Sequence, residues 1–234
     1  MLSSKKQPME MRADQYEPKD FEIYTHNDRS EMLSYIPQDA SIVLDVGCAL
    51  GSFGHRLKTE RPIEVWGVEI NEYAASIASE RLDQVFCGAF DEKLNLPHNK
   101  FDCVIFNDVL EHFVDPYGAL LYTKNLLKKD GKIVISIPNV RYFDNIWNLL
   151  IKKDWQYTEQ GILDRTHLRF FTRKSIIRTL ENLGYSIDLI QGIGLLEIAH
   201  PHRFNKFRFL NFILLNRIED MRYLQFAIVA SLQK

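Results

Sequence analysis

Residues 43–54 read Val43-Leu44-Asp45-Val46-Gly47-Cys48-Ala49-Leu50-Gly51-Ser52-Phe53-Gly54. A short run, apolar except for one carboxylate, enters a glycine-rich turn, and a helical pattern follows through Leu57. An apolar run of this length that stops at glycine reads as a strand buried in a parallel sheet. The turn after such a strand lies at the carboxyl edge of the sheet, where α/β proteins cradle ligands. Gly47 and Gly51 would let the backbone approach a ligand with no Cβ in the way.

Working outward, the same alternation repeats. SIVLDVG (41–47), EVWGVEI (64–70), QVFCGAF (84–90), FDCVIFND (101–108) and KKDGKIVISIPN (128–139) read as strands, the last stopping at Pro138. Helices are expected over Asp28–Tyr35, after the glycine turn, over 72–82 and over Pro116–Lys128. Strands alternating with helices predict an α/β fold, a Rossmann-like and mostly parallel sheet with helices on both faces. Beyond residue 140 the pattern loosens. Residues 141–170 are aromatic and charged without a clean period. Residues 172–185 form a helix with Thr172 as N-cap and Gly184 past its end. Late strands are expected over 186–194 and 223–233, with an aromatic helix over 204–218 between them. On that helix Phe207, Leu210 and Leu214 share a face, with Arg203, Lys206 and Arg208 nearby. The expected organisation is a lead-in, 1–27, and a single domain, 28–234, with a lid at 141–171 and a helical insertion at 200–220.

Composition removes several classes. The chain has 234 residues, 46% hydrophobic and 26% charged, with a net charge of −2, so it is not a highly basic nucleic-acid binder overall. No apolar run is long enough to cross a bilayer. The start, MLSSKKQPMEMRADQ, has no apolar signal region, which points to the cytoplasm. Cys48, Cys87 and Cys103 lack CxxC spacing and read as reduced thiols. Charge is uneven: residues 141–234 hold 14 basic and 9 acidic side chains, leaving 15 and 22 in residues 1–140. A cationic second part suits an anionic acceptor, a phosphate-bearing carrier or a membrane surface, or is simply a solvated face.

Glu69 ends the second strand, placed to accept both hydroxyls of an adenosine ribose. A dinucleotide would want G-x-G-x-x-G, but Ala49 and Ser52 occupy the second and third fingerprint positions, which demotes a nicotinamide or flavin cofactor. VLDVGCALG (43–51), GVEI (67–70), FDCVIFNDVLEHFVDP (101–116) and LLKKDGKIVISIPN (126–139) together resemble the class I S-adenosylmethionine-dependent methyltransferases. The resemblance implies S-adenosylmethionine as cofactor, with S-adenosylhomocysteine as product. It implies that Gly47, Cys48, Ala49 and Gly51 meet the methionine part, that Asp45 anchors its amino group, that Glu69 holds the ribose and that Ile70 packs on adenine. Asn107 and Asp108 would line the donor site. Ala49 replaces a usual glycine, tolerable if its φ is negative. Ala89 stands where an acid often holds the adenine amine, so Ala89 and Phe90 would contribute backbone and packing.

Residues 137–171 resemble a bacterial methyltransferase subgroup associated with glycan, O-antigen or capsule biosynthesis. The expected acceptor is therefore a small molecule or glycan precursor, anionic or lipid-linked, methylated on oxygen or nitrogen, with a homodimer as a further expectation and nucleic acid not a partner. A hydroxyl acceptor needs a general base, and His112 and His167 are the candidates. Asp164, Arg165 and Arg169 would bind an anionic acceptor or pin the lid by salt bridges. Asp108-x-x-Glu111-His112 also resembles an acidic-acidic-His metal pattern of some methyltransferases, but any such run at a helix start looks the same, and no metal site is assigned. His200-Pro-His202 is too short a motif for one. The competing readings are a non-catalytic donor-binding regulatory protein, a methyltransferase acting on protein or tRNA, and an NAD-dependent oxidoreductase.

Overall fold

The computed structural model describes residues 29–233, and the expected lead-in, 1–27, lies outside them. Seven strands form one sheet: β1 (Ile42–Val46), β2 (Glu64–Glu69), β3 (Gln84–Cys87), β4 (Phe101–Asn107), β5 (Leu127–Pro138), β6 (Tyr185–Leu195) and β7 (Tyr223–Leu232). Their order is β3-β2-β1-β4-β5-β7-β6, parallel throughout except for β7, which runs antiparallel to both neighbours. The helices are α1 (Ser52–Glu60), α2 (Glu72–Ala78), α3 (Pro116–Leu126), α4 (Phe143–Trp147), α5 (Arg173–Asn182), α6 (Leu196–Ala199) and α7 (Pro201–Ile213).

The strands read as continuous apolar runs because successive side chains enter two different cores. Ile42, Leu44 and Val46 of β1 join Phe101, Val104 and Phe106 of β4, Leu120 of α3 and Leu180 of α5. Val43, Cys103 and Ile105 join Phe53 and Leu57 of α1 and Ala78 of α2 on the other face. Truncating a fully buried member such as Leu44 to alanine would cost about 2–5 kcal/mol. The expected mostly parallel sheet with helices on both faces is what the chain forms.

Several boundaries differ from the sequence reading. The first helix is a 3-10 segment, Ser30–Tyr35. Strand β3 ends at Cys87, and Gly88, with φ 150°, turns the chain. Helix α2 ends at Ala78, and the chain goes on to Leu82 in turns. Helix α3 ends at Leu126 and β5 follows at once. The aromatic helix starts at Pro201, a residue suited to a first helical position, and ends at Ile213. Leu210 packs with Phe207 as expected, but Leu214 lies just past the helix end and is 44% exposed, and Leu215 and Asn216 take positive φ beyond it. The buried positions of α7 are Phe207 and Asn211.

Two excursions leave the sheet and pack on each other. The first departs at Asn139 and returns at Phe171, where Val140 N–H donates to the Phe171 carbonyl across 2.9 Å. The second joins β6 to β7. Tyr142 and Phe143 from the first share a small core with Leu196, Phe207 and Met221 from the second. Arg141 pairs with Asp220 at 2.7 Å and Arg203 with Asp144 at 2.8 Å across the same seam.

Candidate active site

Three parallel strands end together where the sheet order reverses, with β2 on one side of β1 and β4 on the other. That crevice is where an open α/β sheet takes its ligand. The turn after β1 is held from below by Gly47 and Cys48 N–H groups, both donating to the Val68 carbonyl at 2.8 and 3.1 Å. Glu69 ties its rim: Oε2 accepts from Ala49 N–H and Oε1 from Asn71 N–H, each at 2.9 Å. A carboxylate has about four lone-pair sites, so acceptor capacity remains for a diol. Ile70, 55% exposed, offers an apolar surface beside it.

The turn corrects two expectations. Gly47, Ala49 and Gly51 have φ of 72°, 47° and 73°, so Ala49 takes the left-handed conformation and not a negative φ. Its N–H donates to Glu69. A Cβ on Gly47 would meet Val109 Cγ2 at 2.5 Å and one on Gly51 would meet Ala78 Cα at 3.1 Å. These glycines serve tight packing beneath the turn, and it is their backbone conformation that opens the cradle. Cys48 also packs inward, since a Cβ on Gly67 would strike its Sγ.

Buried polar groups converge on this cradle. Burial, helped by the nearby Glu69, pushes the Asp45 carboxyl up to about 7. Burial likewise raises Glu69, against the lowering effect of its backbone hydrogen bonds. Asn107 at the β4 tip keeps both side-chain polar atoms buried with no hydrogen-bond partner among the described residues. Buried polar atoms of this kind ordinarily find one. Phe90 is buried in the core, edge-on to Phe106 and tilted against Tyr122, while Ala89 is exposed. Asp108, with φ 50°, accepts from Ser136 Oγ at 2.9 Å and Gln225 Nε2 at 3.0 Å and pairs with Arg29 at 2.6 Å. A ligand carrying an ammonium group and a ribose diol fits these residues.

One turn further on, a 3-10 segment Leu110–His112 carries a second group. The first excursion is docked against it, because Leu168 and Arg169 N–H groups both donate to the Glu111 carbonyl, at 2.8 and 3.0 Å. That docking brings His112 and His167 together, ring centroids 4.7 Å apart and edge to face. The Glu111 carboxylate lies among them, 1% exposed, with neither oxygen hydrogen-bonded among the described residues. His167 Nε2 is 3.9 Å from Glu111 Oε1, beyond hydrogen-bond range. Burial drives the Glu111 carboxyl well up, and burial with His167 close by pushes His112 down.

Of the proposed acceptor residues, Asp164 accepts from Thr166 N–H and Oγ1 at 2.8 and 2.7 Å. Arg165 pairs with Glu159 at the surface, and Arg169 donates to the Leu168 and Val114 carbonyls. Glu111, Thr166 and Arg29, to which the sequence reading gave no site role, adjoin His167, His112 and Asp108 respectively. The D-x-x-E-H run signals Glu111; Thr166 and Arg29 become neighbours of the site only through long-range folding.

Residues 24–190 match the family described as a methyltransferase domain. An uncharacterized protein of Methanocaldococcus jannaschii is 27% identical over 165 residues, covering 70% of this chain and 73% of that protein. A ubiquinone biosynthesis O-methyltransferase of Chromobacterium violaceum is 23% identical over 203 residues, 80% of this chain and 84% of its own. In fold, the chain is similar to an S-adenosylmethionine-dependent methyltransferase from Archaeoglobus fulgidus, with a TM-score of 0.65 and 23% identity, covering 89% of this chain and 99% of that one. No helix among the described residues is long and apolar enough to cross a membrane.

Proposed function

Because the chain belongs to the methyltransferase domain family and uses S-adenosylmethionine as its methyl donor, we propose that it methylates a hydroxyl of a small-molecule or glycan-precursor acceptor. The observation that carries this reading is the buried Glu111–His112–His167 cluster next to the donor cradle. Val109, which packs on Gly47, lies two positions before Glu111, so the two sites adjoin. An amine needs only to arrive neutral, whereas a hydroxyl must lose its proton, and this cluster is placed to promote that loss. The similarity to the Chromobacterium ubiquinone biosynthesis O-methyltransferase supports oxygen as well.

On the donor side, Glu69 takes the ribose hydroxyls, Ile70 lies against the adenine, and Asp45 with Asn107 receives the amino-acid part. The backbone of Gly47, Cys48, Ala49 and Gly51 lines the rest. S-Adenosylmethionine held there would supply an electrophilic sulfonium methyl for the acceptor oxygen, and the hydroxyl proton would leave by way of the Glu111–His112–His167 cluster. The chain's own work is to align donor and acceptor and to promote that proton loss. Residues 141–171 form the acceptor lid, with Arg169 and the surface Arg165 meeting an anionic acceptor and Asp164 acting through Thr166. Phe209, Phe212 and Leu215, exposed on and after α7 near Arg208 and Arg217, suit a lipid-linked acceptor.

The test is transfer of a labelled methyl to a panel of phenolic, sugar and amine acceptors. A methyl ether as product supports the reading. Products methylated on nitrogen alone, or none across the panel, would refute it.

A further inference from the structure

We propose that Glu111, His112 and His167 hold a divalent first-row metal cation of the zinc type at the acceptor side of the site. The inference deepens the functional reading above and rests on it. One ligand atom from each residue falls within 4.8 Å of the others. One carboxylate with two imidazoles is a ligand set found around zinc and non-haem iron, and it leaves positions free for an acceptor oxygen. Two imidazoles favour such a cation over magnesium, which prefers oxygen ligands.

Both rings are held in the tautomer a metal requires. The Thr166 hydroxyl donates to Asp164 Oδ1 at 2.7 Å, so toward His112 Nδ1, 3.0 Å away, its oxygen can only accept. His112 therefore carries its proton on Nδ1 and a lone pair on Nε2. His167 Nδ1 faces the Ile162 carbonyl at 2.9 Å, an acceptor, and so must also be the protonated nitrogen. Its Nε2 is the atom turned toward Glu111. A hydroxyl backed by a carboxylate behind His112, and a carbonyl behind His167, fix ring and tautomer as the outer shell of metal-binding histidines does.

The remaining observation is Glu111 itself. Its carboxylate is buried, without a hydrogen bond among the described residues, and Asp108 and Asp164 stand near it with Arg29 the cation acting on it. A buried carboxylate without a donor is costly, and a cation shared with the two histidines removes that cost. The bound cation would polarise the acceptor hydroxyl and ease loss of its proton, so the imidazoles serve as ligands and not as free bases.

The experiment uses full-length protein stripped with a chelator, then titrated with zinc or cobalt chloride. Metal content is read by mass spectrometry and cobalt coordination by visible absorption. The expected result is one metal per chain, lost in Glu111→Gln and His167→Gln. Thr166→Val should weaken binding about 10–100-fold, the scale for an outer-shell partner. Calorimetry with S-adenosylhomocysteine on the same samples reports the donor site separately. Donor binding without stoichiometric metal overturns the cation site and leaves the functional reading standing; loss of donor binding in the wild type refutes that reading instead. Cobalt spectra unchanged in both ligand variants would equally overturn the proposal, and wild-type stoichiometry decides it if a variant fails to fold.

Discussion

The backbone N–H of Ala49 donates to Glu69 Oε2 across 2.9 Å, tying the tip of β2 to the turn after β1. In the donor site proposed above, this contact lets Glu69 both take the donor ribose and brace the loop beside it. Glu69→Ala should weaken S-adenosylhomocysteine binding by at least about 1–3 kcal/mol, the scale for losing a charged hydrogen-bond partner. Glu69→Gln, which can still accept from Ala49, should lose less. Equal affinities for wild type and Glu69→Ala by calorimetry would remove Glu69 from the donor site.

The same contact holds Ala49 at φ 47°, where a Cβ is unfavourable by about 1–2 kcal/mol. Ala49→Gly should therefore raise the thermal midpoint while keeping donor affinity. Gly51→Val should act oppositely, since φ 73° and Ala78 Cα at 3.1 Å leave its side chain no place. The valine variant is expected to lose the fold along with the ligand. A normal melting curve for it would show that the turn is looser than described.

Asp45 gives a pH signature. Its carboxyl titrates near 7 in the folded chain against 3.8 for the free side chain. Between these values the folded state keeps a proton that the unfolded state has lost, so this group's contribution to stability falls as pH rises from about 4 to 7. The full cost, on the order of 4 kcal/mol, is present above 7. Asp45→Asn should thus be more stable than wild type at pH 8 and no more stable at pH 4, with donor binding impaired. Identical pH–stability curves for the two proteins would contradict this.

On the acceptor side, His167→Ala should lower turnover about 100-fold or more and leave S-adenosylhomocysteine affinity within about twofold. Equal losses in both would make residues 141–171 a lid over the donor instead.

The exposed side chains of α7 and the turn after it make a separate expectation. Wild-type protein should float with anionic liposomes at low salt, and Phe212→Asp with Leu215→Asp should abolish this without changing the melting point. A wild type that stays off liposomes at every salt concentration, and scatters light as a stable dimer, would assign this surface to a dimer interface.

The sheet edge on which the proposed donor residues lie was legible in sequence because it depends on local pattern. An apolar strand, a glycine turn and an acid at the next strand tip are neighbours in the sheet wherever β1 and β2 pair in register, as Asp45 and Gly67 do. The sign of φ at Ala49 was not legible, since it follows from the hydrogen bond to Glu69 and not from alanine's own preference. The proposed acceptor side was legible only as separate residues. His112 and His167 become neighbours through Leu168 and Arg169 bonding to the Glu111 carbonyl, backbone contacts that no side-chain pattern encodes. On α7 the expected face holds for Phe207 and Leu210, which share one core, while Leu214 falls past the helix end at Ile213 and is exposed.

The most direct measurement is a calorimetric titration of the full chain with S-adenosylhomocysteine, alongside NAD and the Glu69→Ala variant. One molecule of S-adenosylhomocysteine should bind per chain, with NAD silent and the variant markedly weaker. Binding of NAD in place of S-adenosylhomocysteine, or a variant indistinguishable from wild type, would contradict the assignment of the β1–β2–β4 edge as a methyl-donor site.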